Sequence, residues 1–381
     1  MTFDFTEEQL MIQESARDFA QNEIAPSAVE RDIKAEFPAE IVKKMGELGF
    51  MGMMVSPDYG GAGMDTLSYV LAMIEISKVD ASVGVIMSVN NSLVCWGLEE
   101  YGSDHIKQKY LVPLAQGEKL GSFALSEPEA GSDATQQHTM ADKDGDFYAL
   151  NGMKNWITNG TSADYHLVMA QTDKSKAHKG ITTFLVEKGT EGFTHGKKED
   201  KLGIRSSDTC SLLFENCKVP KENIVWEEGR GFNFAMNTLN GGRIGIASQA
   251  IGIAEASLEA AIKYSKERKA FGKEISSLQA IQFKLADMAM KVDAAKLLTF
   301  KAAALKDAGK KYYAEAAMAK LYSSTIAVEC ALEAIQIHGG YGYVREYLVE
   351  RFLRDSKITE IYEGTSEIQK IVIARSLLDS K

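Results

Sequence analysis

The longest proline-free segment restricts the possible folds of this chain more than any other feature. The last of the six prolines is Pro220, and the alanine-rich segment from there to Lys381 contains none. Proline interrupts α-helices and alanine favours them, so this part of the chain is predicted to form long helices. In one of them, apolar residues recur at alternating spacings of three and four, as in helices packed at a shallow angle: Leu278, Ile281, Leu285, Met288, Val292 and Ala295. With helical segments at 233–265, 312–337 and 365–379, this pattern predicts a four-helix bundle.

Residues 1–118 are also predicted to be helical. Thr6 to Gln9 has the pattern of a capping box, and the helix that it starts is predicted to end at Pro26. Apolar periodicity predicts further helices: 38–48, 67–78, 81–101 and 104–115. Ala81 to Leu98 carries no charge but contains two asparagines and several serines, so we expect a buried helix and no membrane insertion.

The middle of the chain changes to a β pattern at Gly121. Runs rich in β-branched and aromatic residues are predicted as strands at 166–171, 181–186 and 211–214. Turn dipeptides separate such runs: Asp144-Gly145, Asn151-Gly152 and Asn159-Gly160. Strands do not alternate with long helices and no G-x-G-x-x-G follows one, which disfavours a parallel doubly wound sheet. The predicted fold class is α+β, with an N-terminal α-helical domain (1–118), a middle antiparallel β domain (119–230) and a C-terminal four-helix bundle (231–381).

Composition and charge exclude several classes of function. A net charge of −10 and a pI near 5.3 argue against nucleic-acid binding and against binding to an anionic membrane. The four cysteines form no C-x-x-C pair and the six histidines no H-E-x-x-H, so we expect neither a metal nor disulfides. The first residues lack the basic and apolar regions of a signal peptide, which favours a cytoplasmic location.

The segment from Ile358 to Gln369 is the first candidate for chemistry. It places Glu363 beside Gly364, where one helical pattern ends and another begins. Glycine permits a close backbone approach or an unusual φ, and Thr365 to Glu367 has the pattern of a helix start, whose N–H groups suit an anionic ligand. The residues alone leave two interpretations open, a catalytic base and an ordinary turn carboxylate.

Two other segments are candidates for ligand binding. Phe123 to Asp133 places small and polar residues where a strand would otherwise continue, and these could bind the ring edge or phosphate of a cofactor. An ordinary β-turn loop is the alternative. Gln336 to Gly342 interrupts a helical pattern with three glycines, which indicates either a close approach to a ligand or a simple helix end.

These segments resemble those of the acyl-CoA dehydrogenase family. Ala124-Leu-Ser-Glu-x-x-Ala-Gly-Ser-Asp133 is similar to its first signature, and Gln336-x-x-Gly-Gly-x-Gly-Tyr343 is similar to its second. Further matches follow the family's pattern: Trp156-Ile-Thr158, Arg268-Lys-Ala-Phe-Gly272 with Leu278-Gln279, Ile361-Tyr-Glu-Gly-Thr365, and Glu346, Arg351 and Asp355. The resemblance spans the whole chain, and the C-terminal half is most similar to the short-chain, butyryl-CoA type.

The resemblance implies FAD-dependent α,β-dehydrogenation of an acyl-CoA thioester, with electrons passing to an electron-transferring flavoprotein. Glu363 matches the base that takes the α-proton, and flavin N5 would take the β-hydride. The backbone N–H of Glu363 and a ribityl hydroxyl of the flavin would bind the thioester oxygen. Some branches of the family place the base at the position of Gly242, where glycine cannot serve, so Glu363 is the expected base.

The resemblance also assigns residues to the cofactor and the substrate. Flavin contacts are expected from Phe123, Ala124, Leu125, Ser126, Gly131, Ser132, Trp156, Ile157 and Thr158. Adenosine and pyrophosphate contacts, which relatives receive from a neighbouring subunit, are expected from Arg268, Gln279, Gln336, Ile337, His338, Gly339 and Gly340. The remaining FAD contacts are expected from Thr365, Ser366 and Glu367, and the substrate contacts from Ser132, Asn240, Gly241, Gly242, Arg243 and Gly364. A shared FAD site implies a homo-oligomer, and a tetramer is the habit of the family.

Some questions stay open at this point. The loop from Phe123 to Ser132 is similar to the segment that contacts the flavin edge in the family, and we call it the flavin-edge loop. Gln136 stands where the first signature ordinarily has a small residue, which puts the local shape of this loop in doubt. The acyl group could be short, branched or dicarboxylic, and the reaction could run in either direction. An oxygen-using oxidase of the same fold and a non-catalytic acyl-CoA-binding scaffold are the alternative functions.

Overall fold

Residues 4–378 are described by a computed structural model, in which a helical unit precedes a β-sheet and a second helical unit follows it. The helices are α1 (Glu7–Phe19), α2 (Ala25–Lys34), α3 (Ala39–Glu47), α4 (Thr66–Val79), α5 (Ala81–Ser88), α6 (Trp96–Tyr101), α7 (Asp104–Ile106), α8 (Val112–Ala115), α9 (Gly231–Glu267), α10 (Gln279–Asp307), α11 (Tyr313–His338), α12 (Val349–Lys357) and α13 (Ser366–Leu378). The strands are β1 (Gly121–Ala124), β2 (Met140–Asp144), β3 (Phe147–Thr158), β4 (Tyr165–Gln171), β5 (Ile181–Glu187), β6 (Phe193–His195), β7 (Thr209–Pro220), β8 (Ile224–Val225), β9 (Lys269–Ala270) and β10 (Lys273–Glu274). The α+β class is confirmed, and the domain boundaries at 118 and 230 stay a prediction.

The N-terminal helix begins as predicted but does not end at Pro26. The Thr6 side chain accepts a hydrogen bond from the N–H of Gln9, whose side chain accepts one from the N–H of Thr6, so the capping box is confirmed. A π-helical turn at Ala20–Ile24 then joins α1 to α2, and Pro26 lies in the first turn of α2. The helical backbone therefore runs through Pro26, and the wider π-helical turn lies directly before the position at which the proline lacks an N–H.

The sheet is mostly antiparallel, as predicted, but it also contains parallel pairs that the prediction did not include. Its strands follow the order β6-β7-β3-β2-β4-β5-β8, and β1 pairs with β4. Most neighbours are antiparallel, but β4 pairs in parallel with both β1 and β2. The turn predicted at Asn151-Gly152 is also wrong: these residues lie inside β3, at a shift in its register with β7. A Cβ at position 152 would lie 2.7 Å from the Thr139 Cα, so the close approach of β3 to that residue requires the glycine there.

The C-terminal bundle is formed by α9, α10, α11 and α13, which confirms the predicted helix packing. The last residue of the predicted segment 365–379 lies outside the described residues. Helix α9 is 37 residues long and also packs against α4, α5 and α12, so it joins the N-terminal helices to the bundle. A hydrophobic core runs through this junction and includes Leu93, Leu185 and Ile251. The 3₁₀ turn that follows α12, Ile358–Glu360, packs against α9 and α11.

One helix in the described residues, Ala81–Tyr101, is long and apolar enough to cross a membrane. Its most hydrophobic window is 94% buried inside the protein, as in the core helix of a globular protein. The segment continues through a π-helical stretch at Val89–Cys95, where the Asn91 side chain donates to the carbonyl oxygens of Phe50 and Met87. Internal partners therefore satisfy the polar groups of this helix.

Candidate active site

The turn that carries Glu363 has a strained backbone. It lies between a 3₁₀ turn at Ile358–Glu360 and the start of α13. Glu363 has a φ of 52° and Gly364 a φ of 93°. A left-handed conformation costs a residue with a side chain on the order of 1–2 kcal/mol, and such strain is concentrated at functional sites. A Cβ at position 364 would lie 2.6 Å from the Gln369 Nε2, so the turn also requires the glycine for space.

Glu363 is half-buried, and one of its carboxyl oxygens is poorly compensated. Its Oε2 is inaccessible to solvent and has no hydrogen-bond partner within the described residues. Burial raises the pKa of Glu363 to about 7, while the charges of Lys320 and Arg243 act to lower it. A carboxyl group that titrates near neutral pH can accept a proton from a weak acid and release it again, as a general base must.

Gly242 on α9 lies directly against this carboxyl group. A Cβ at position 242 would be 2.1 Å from the Glu363 Oε2 and 2.7 Å from the Leu93 Cδ2. The neighbouring Gly241 is open, because its Cβ would meet nothing closer than the Ser92 carbonyl oxygen at 3.9 Å. The two positions at which the family pattern carries a base therefore lie next to each other in space, and only glycine fits at 242 while Glu363 occupies the site.

Arg243 and Asn240 lie on the same helix beside Glu363. Both are buried, with exposed fractions of 5% and 7%. A guanidinium N–H of Arg243 donates to the Asn240 Oδ1, but its Nε has no partner among the described residues. Arg243 also forms no ion pair with a carboxylate within 4.0 Å in that part of the chain. A buried cation with a free donor is suited to a ligand that carries negative charge.

The predicted flavin-edge loop follows β1 and is held by a buried lysine. Lys154 is fully buried and its Nζ donates to the Leu125 carbonyl oxygen at 3.2 Å, to the Glu127 Oε1 at 2.7 Å and to the Gln137 Oε1 at 2.6 Å. The Ser126 carbonyl oxygen accepts from the Asn155 N–H at 2.8 Å. These bonds fix the course of the loop from both sides.

The exposed part of this loop contains Gly131, Ser132 and Gln136. A Cβ at Gly131 would meet nothing within 4 Å, so space for a ligand is present there. Gln136, which departs from the family signature, is exposed, and its side chain bonds to the exposed neighbours Thr135, at 3.4 Å, and Asp133. The departure therefore leaves the interior of the loop unchanged. Ala124 and Leu125 are buried, so only their backbone atoms could contact a cofactor.

Trp156 interrupts β3 at a second shift in register, between Lys154 and Ile157. Its φ is 62° and its side chain is 62% exposed. An exposed aromatic ring on a strained backbone is suited to contact with a flat ligand. Ile157 is 2% exposed and belongs to the core of the sheet, whereas Thr158 is half-buried. The side chains at 156 and 158 are therefore the accessible ones of this motif.

The other predicted cofactor residues lie at the opposite end of α9. Arg268 ends that helix and its guanidinium lies 5.6 Å from the centre of the Tyr341 ring. His338 packs on Tyr264 at 4.2 Å and its Nδ1 bonds to the Ala334 carbonyl oxygen. Gln279, Gln336, Gly339 and Gly340 are exposed, and Ile337 is buried. Arg268 follows Arg243 by 25 positions on one helix, which corresponds to about 37 Å. One dinucleotide bound near Glu363 cannot reach both groups of residues in the same chain.

The start of α13 borders a separate groove. Thr365 is its N-terminal cap, since its hydroxyl accepts from the Ile368 N–H at 3.4 Å. Thr365, Ser366 and Glu367 line a groove of about 840 Å³ between α13, α10 and α11, together with Leu298, Met318, Tyr322 and Lys370. A helix start that lines a groove offers N–H groups that could bind a phosphate or hydroxyl of a ligand.

The structure adds residues that the sequence did not indicate. Lys320 donates to the Gly364 carbonyl oxygen at 2.8 Å, and Gln369 donates to the same oxygen at 2.8 Å. Lys154 holds the flavin-edge loop. Each lysine lies in an ordinary helix or strand pattern, where a solvated lysine is the usual expectation, so no signal in the sequence distinguished it.

The four cysteines are unpaired and buried, and residues 4–378 contain no cluster of three metal-ligating side chains.

Comparison with known proteins agrees with this geometry. Family profiles match three consecutive parts of the chain: the acyl-CoA dehydrogenase N-terminal domain at residues 6–118, the middle domain at 122–217 and the C-terminal domain at 229–378. A short-chain-specific acyl-CoA dehydrogenase of Clostridium acetobutylicum is 50% identical over 98% of this chain and 99% of its own. The butyryl-CoA dehydrogenase structure from Megasphaera elsdenii is 49% identical, with a TM-score of 0.98 over 99% of this chain and 100% of its own. A chain in the structure of the electron-transferring flavoprotein of Acidaminococcus fermentans is 51% identical, with a TM-score of 0.98 and the same coverage.

Proposed function

The chain belongs to the acyl-CoA dehydrogenase family, and from this premise we propose that it interconverts butyryl-CoA and crotonyl-CoA with FAD as cofactor and an electron-transferring flavoprotein as electron partner. The observation that carries the proposal is the Glu363 Oε2, which lies buried without a hydrogen-bond partner in the described residues, on a strained turn where burial raises the pKa of Glu363 to about 7. Dehydrogenases for branched or dicarboxylic acyl-CoA and an oxygen-using oxidase are the alternatives.

Glu363 is the base in the proposed reaction. The α-proton of a thioester is weakly acidic, so its removal requires a desolvated carboxylate and stabilisation of the charge that develops on the thioester oxygen. The Glu363 carboxylate would accept the proton. The N–H of Glu363 has no acceptor among residues 4–378 and is free to donate to that oxygen. Arg243 supplies positive charge beside the same site.

FAD fits the residues present. The exposed ring of Trp156, the half-buried Thr158 side chain and the open space at Gly131 could each contact a flavin, while the helix start at Thr365 offers N–H donors. When bound, FAD supplies the acceptor for the β-hydride. The separation of the Arg268 group from Glu363 supports a cofactor that is shared between subunits. Exposed aromatic residues in the same segments as Arg268 and its partner Tyr341 support the same conclusion, since Phe271 is 91% exposed and Tyr343 is 87% exposed. We therefore propose a homo-oligomer, with a tetramer expected. The cytoplasmic location stays a prediction.

Close packing behind Glu363 supports a short acyl group. A Cβ at Gly245 would lie 2.4 Å from the Ser88 Oγ and 2.7 Å from the Tyr69 hydroxyl. The Leu93 side chain fills the space beside Gly242. The gap between α9 and the helical segment Ala81–Tyr101 is therefore already occupied. This leaves little room for a long acyl chain on that side. The names of the relatives agree with this preference.

Anaerobic titration of the purified yellow protein tests the substrate. Butyryl-, octanoyl-, isovaleryl- and glutaryl-CoA are added separately while the flavin absorbance is followed. We expect butyryl-CoA to bleach the flavin most completely and at the lowest concentration. Bleaching by one of the other thioesters but not by butyryl-CoA would contradict the substrate assignment. Reoxidation by oxygen as fast as by an electron-transferring flavoprotein would favour the oxidase.

Substitution of the base tests the mechanism. Glu363→Gln is expected to bind FAD and thioester but to leave the flavin oxidised. Glu360→Gln is the matched control, because Glu360 lies three positions away and pairs with Lys357 at 2.6 Å on the surface of the same turn. Near-normal flavin reduction by Glu363→Gln would refute the assignment.

A further inference from the structure

Lys320 is a buried lysine of α11 that is not among the expected substrate-binding or cofactor-binding residues. Its side chain is fully buried, and its Nζ donates to the Gly364 carbonyl oxygen at 2.8 Å. Within residues 4–378 it forms no ion pair with a carboxylate at 4.0 Å or less. An ammonium group has three donors and is costly to bury, so its presence beside the Glu363 turn requires a compensating interaction.

Gln369 binds the same turn from α13. Its Nε2 donates to the Gly364 carbonyl oxygen at 2.8 Å and to the Glu363 carbonyl oxygen at 3.3 Å. Gln369 is fully buried, and both partners are acceptors, so the amide nitrogen must face them. The carbonyl groups of two successive residues with positive φ are thus held from two helices. A strained turn keeps its shape only when its surroundings fix it in this way.

We propose that Lys320 is a positioning residue for the base. Together with Gln369, Lys320 anchors the Gly364 carbonyl group, and its positive charge keeps the Glu363 carboxyl group ionised. The inference rests on the proposed role of Glu363. It separates two contributions: Lys320 acts through position and charge, whereas Gln369 acts through position alone.

The charges around the turn agree with this division. Burial raises the pKa of Glu363 to about 7, and Lys320 is the strongest of the groups that lower it. Burial lowers the pKa of Lys320 to about 8, so Lys320 stays largely protonated at neutral pH. Other charged or titratable groups that act on this pair come from α4, α9 and both sides of the turn: Tyr69, Arg243, Glu360, Tyr362 and Glu367. Without Lys320, the pKa of Glu363 rises further and the base is protonated at neutral pH.

The test compares Lys320→Met with Gln369→Met in the FAD-containing protein. The rate of flavin reduction in a single turnover with butyryl-CoA is measured as a function of pH. We expect Lys320→Met to move the midpoint of the profile upward by about one pH unit or more and to lower the rate at neutral pH by about fivefold or more. Gln369→Met should lower the rate at every pH and leave the midpoint unchanged. Lys320→Arg, which keeps the charge, should restore the midpoint.

A second measurement does not depend on turnover. Infrared spectra of the protein without thioester follow the carboxyl C=O band with pH, and the band that is lost in Glu363→Gln belongs to Glu363. Lys320→Met is expected to shift the titration of this band upward. If Lys320→Met does not fold, Lys320→Gln keeps a donor without the charge and should show the same shift.

Unchanged midpoints in both measurements would overturn the inference, even if the rate fell uniformly, because such a loss indicates a purely structural role. Failure of the proposed function is a different result. In that case no thioester reduces the flavin of the unsubstituted protein, while the infrared titration still reports whether Lys320 sets the ionisation of Glu363.

Discussion

The contact between Gly242 and Glu363 makes a prediction from a single methyl group. Gly242→Ala places a Cβ 2.1 Å from the Glu363 Oε2 and 2.7 Å from the Leu93 Cδ2. Ordinary van der Waals contact begins near 3.4 Å, so the carboxyl oxygen must move away by about 1.3 Å. Helix α9 is packed on several sides and cannot retreat, whereas the carboxyl group has no hydrogen bond to hold it at Oε2. The base is therefore the group that moves.

A displacement of about 1 Å from the reactive position can cost about 100-fold in rate, which corresponds to about 2.7 kcal/mol. We expect Gly242→Ala to reduce flavin with butyryl-CoA at least about 100-fold more slowly than the unsubstituted protein. Helix propensity should not lower the stability of the variant, because alanine is favoured over glycine in a helix by about 1 kcal/mol. Stopped-flow absorbance under anaerobic conditions measures the reduction, and the flavin spectrum and melting temperature report whether the protein is intact.

Gly241→Ala is the matched comparison on the same helix, since its Cβ meets nothing closer than 3.9 Å. Any effect of that change on thioester binding would be seen in KM, whereas the effect of Gly242→Ala should be seen in the reduction rate at saturating thioester. Equal reduction rates for the two variants would refute the reasoning that position 242 acts through the Glu363 carboxyl group.

Three further predictions concern burial and assembly. Because the raised pKa of Glu363 penalises the folded state as pH rises from about 4.5 to about 7, Glu363→Gln should stabilise the protein at pH 8 by on the order of 1–3 kcal/mol and by less at pH 5, and thermal melts at both pH values check this. Lys154→Met leaves the buried Glu127 carboxylate unpaired and should destabilise the protein by about 3–5 kcal/mol, whereas adding Glu127→Gln should recover part of the loss in urea denaturation. Phe271→Glu places a charge on a residue that is 91% exposed in the single chain. If this surface joins the subunits, light scattering should show smaller oligomers, and the flavin absorbance should show that they retain less FAD.

Local patterns predict the fold well wherever the relevant contacts are local. The capping box at Thr6 and the periodicity of α10 need only neighbouring residues, and both are confirmed. The errors lie where distant residues decide. Pro26 follows a π-helical turn, which no propensity indicates, and Gly152 lies inside a strand because Thr139 approaches it closely. The parallel pairing of β1 with β4 likewise depends on which strands meet in space.

The candidate site shows the same division. Glu363 is recognisable because glycine and a helix start follow it, and these are local requirements of the turn. Lys320 lies 43 positions earlier, in an alanine-rich helical pattern where an exposed lysine would look the same. Only the packing of α11 against the turn shows that its Nζ reaches the Gly364 carbonyl oxygen. A sequence motif therefore indicates the proposed reacting group, but the residues proposed to set its position and charge are found from tertiary contacts.

The position of the proposed base on a turn explains why so many contacts surround Glu363. A carboxylate on a helix would be oriented by the regular backbone, but its N–H would be bonded within the helix and unavailable to a substrate oxygen. On the turn, the N–H of Glu363 has no acceptor in the described residues, so one residue can offer both the proton acceptor and a hydrogen-bond donor. The turn loses the support of helical hydrogen bonds in exchange. Lys320 and Gln369 replace that support at the carbonyl groups, and Gly242 provides the space into which the carboxyl group fits.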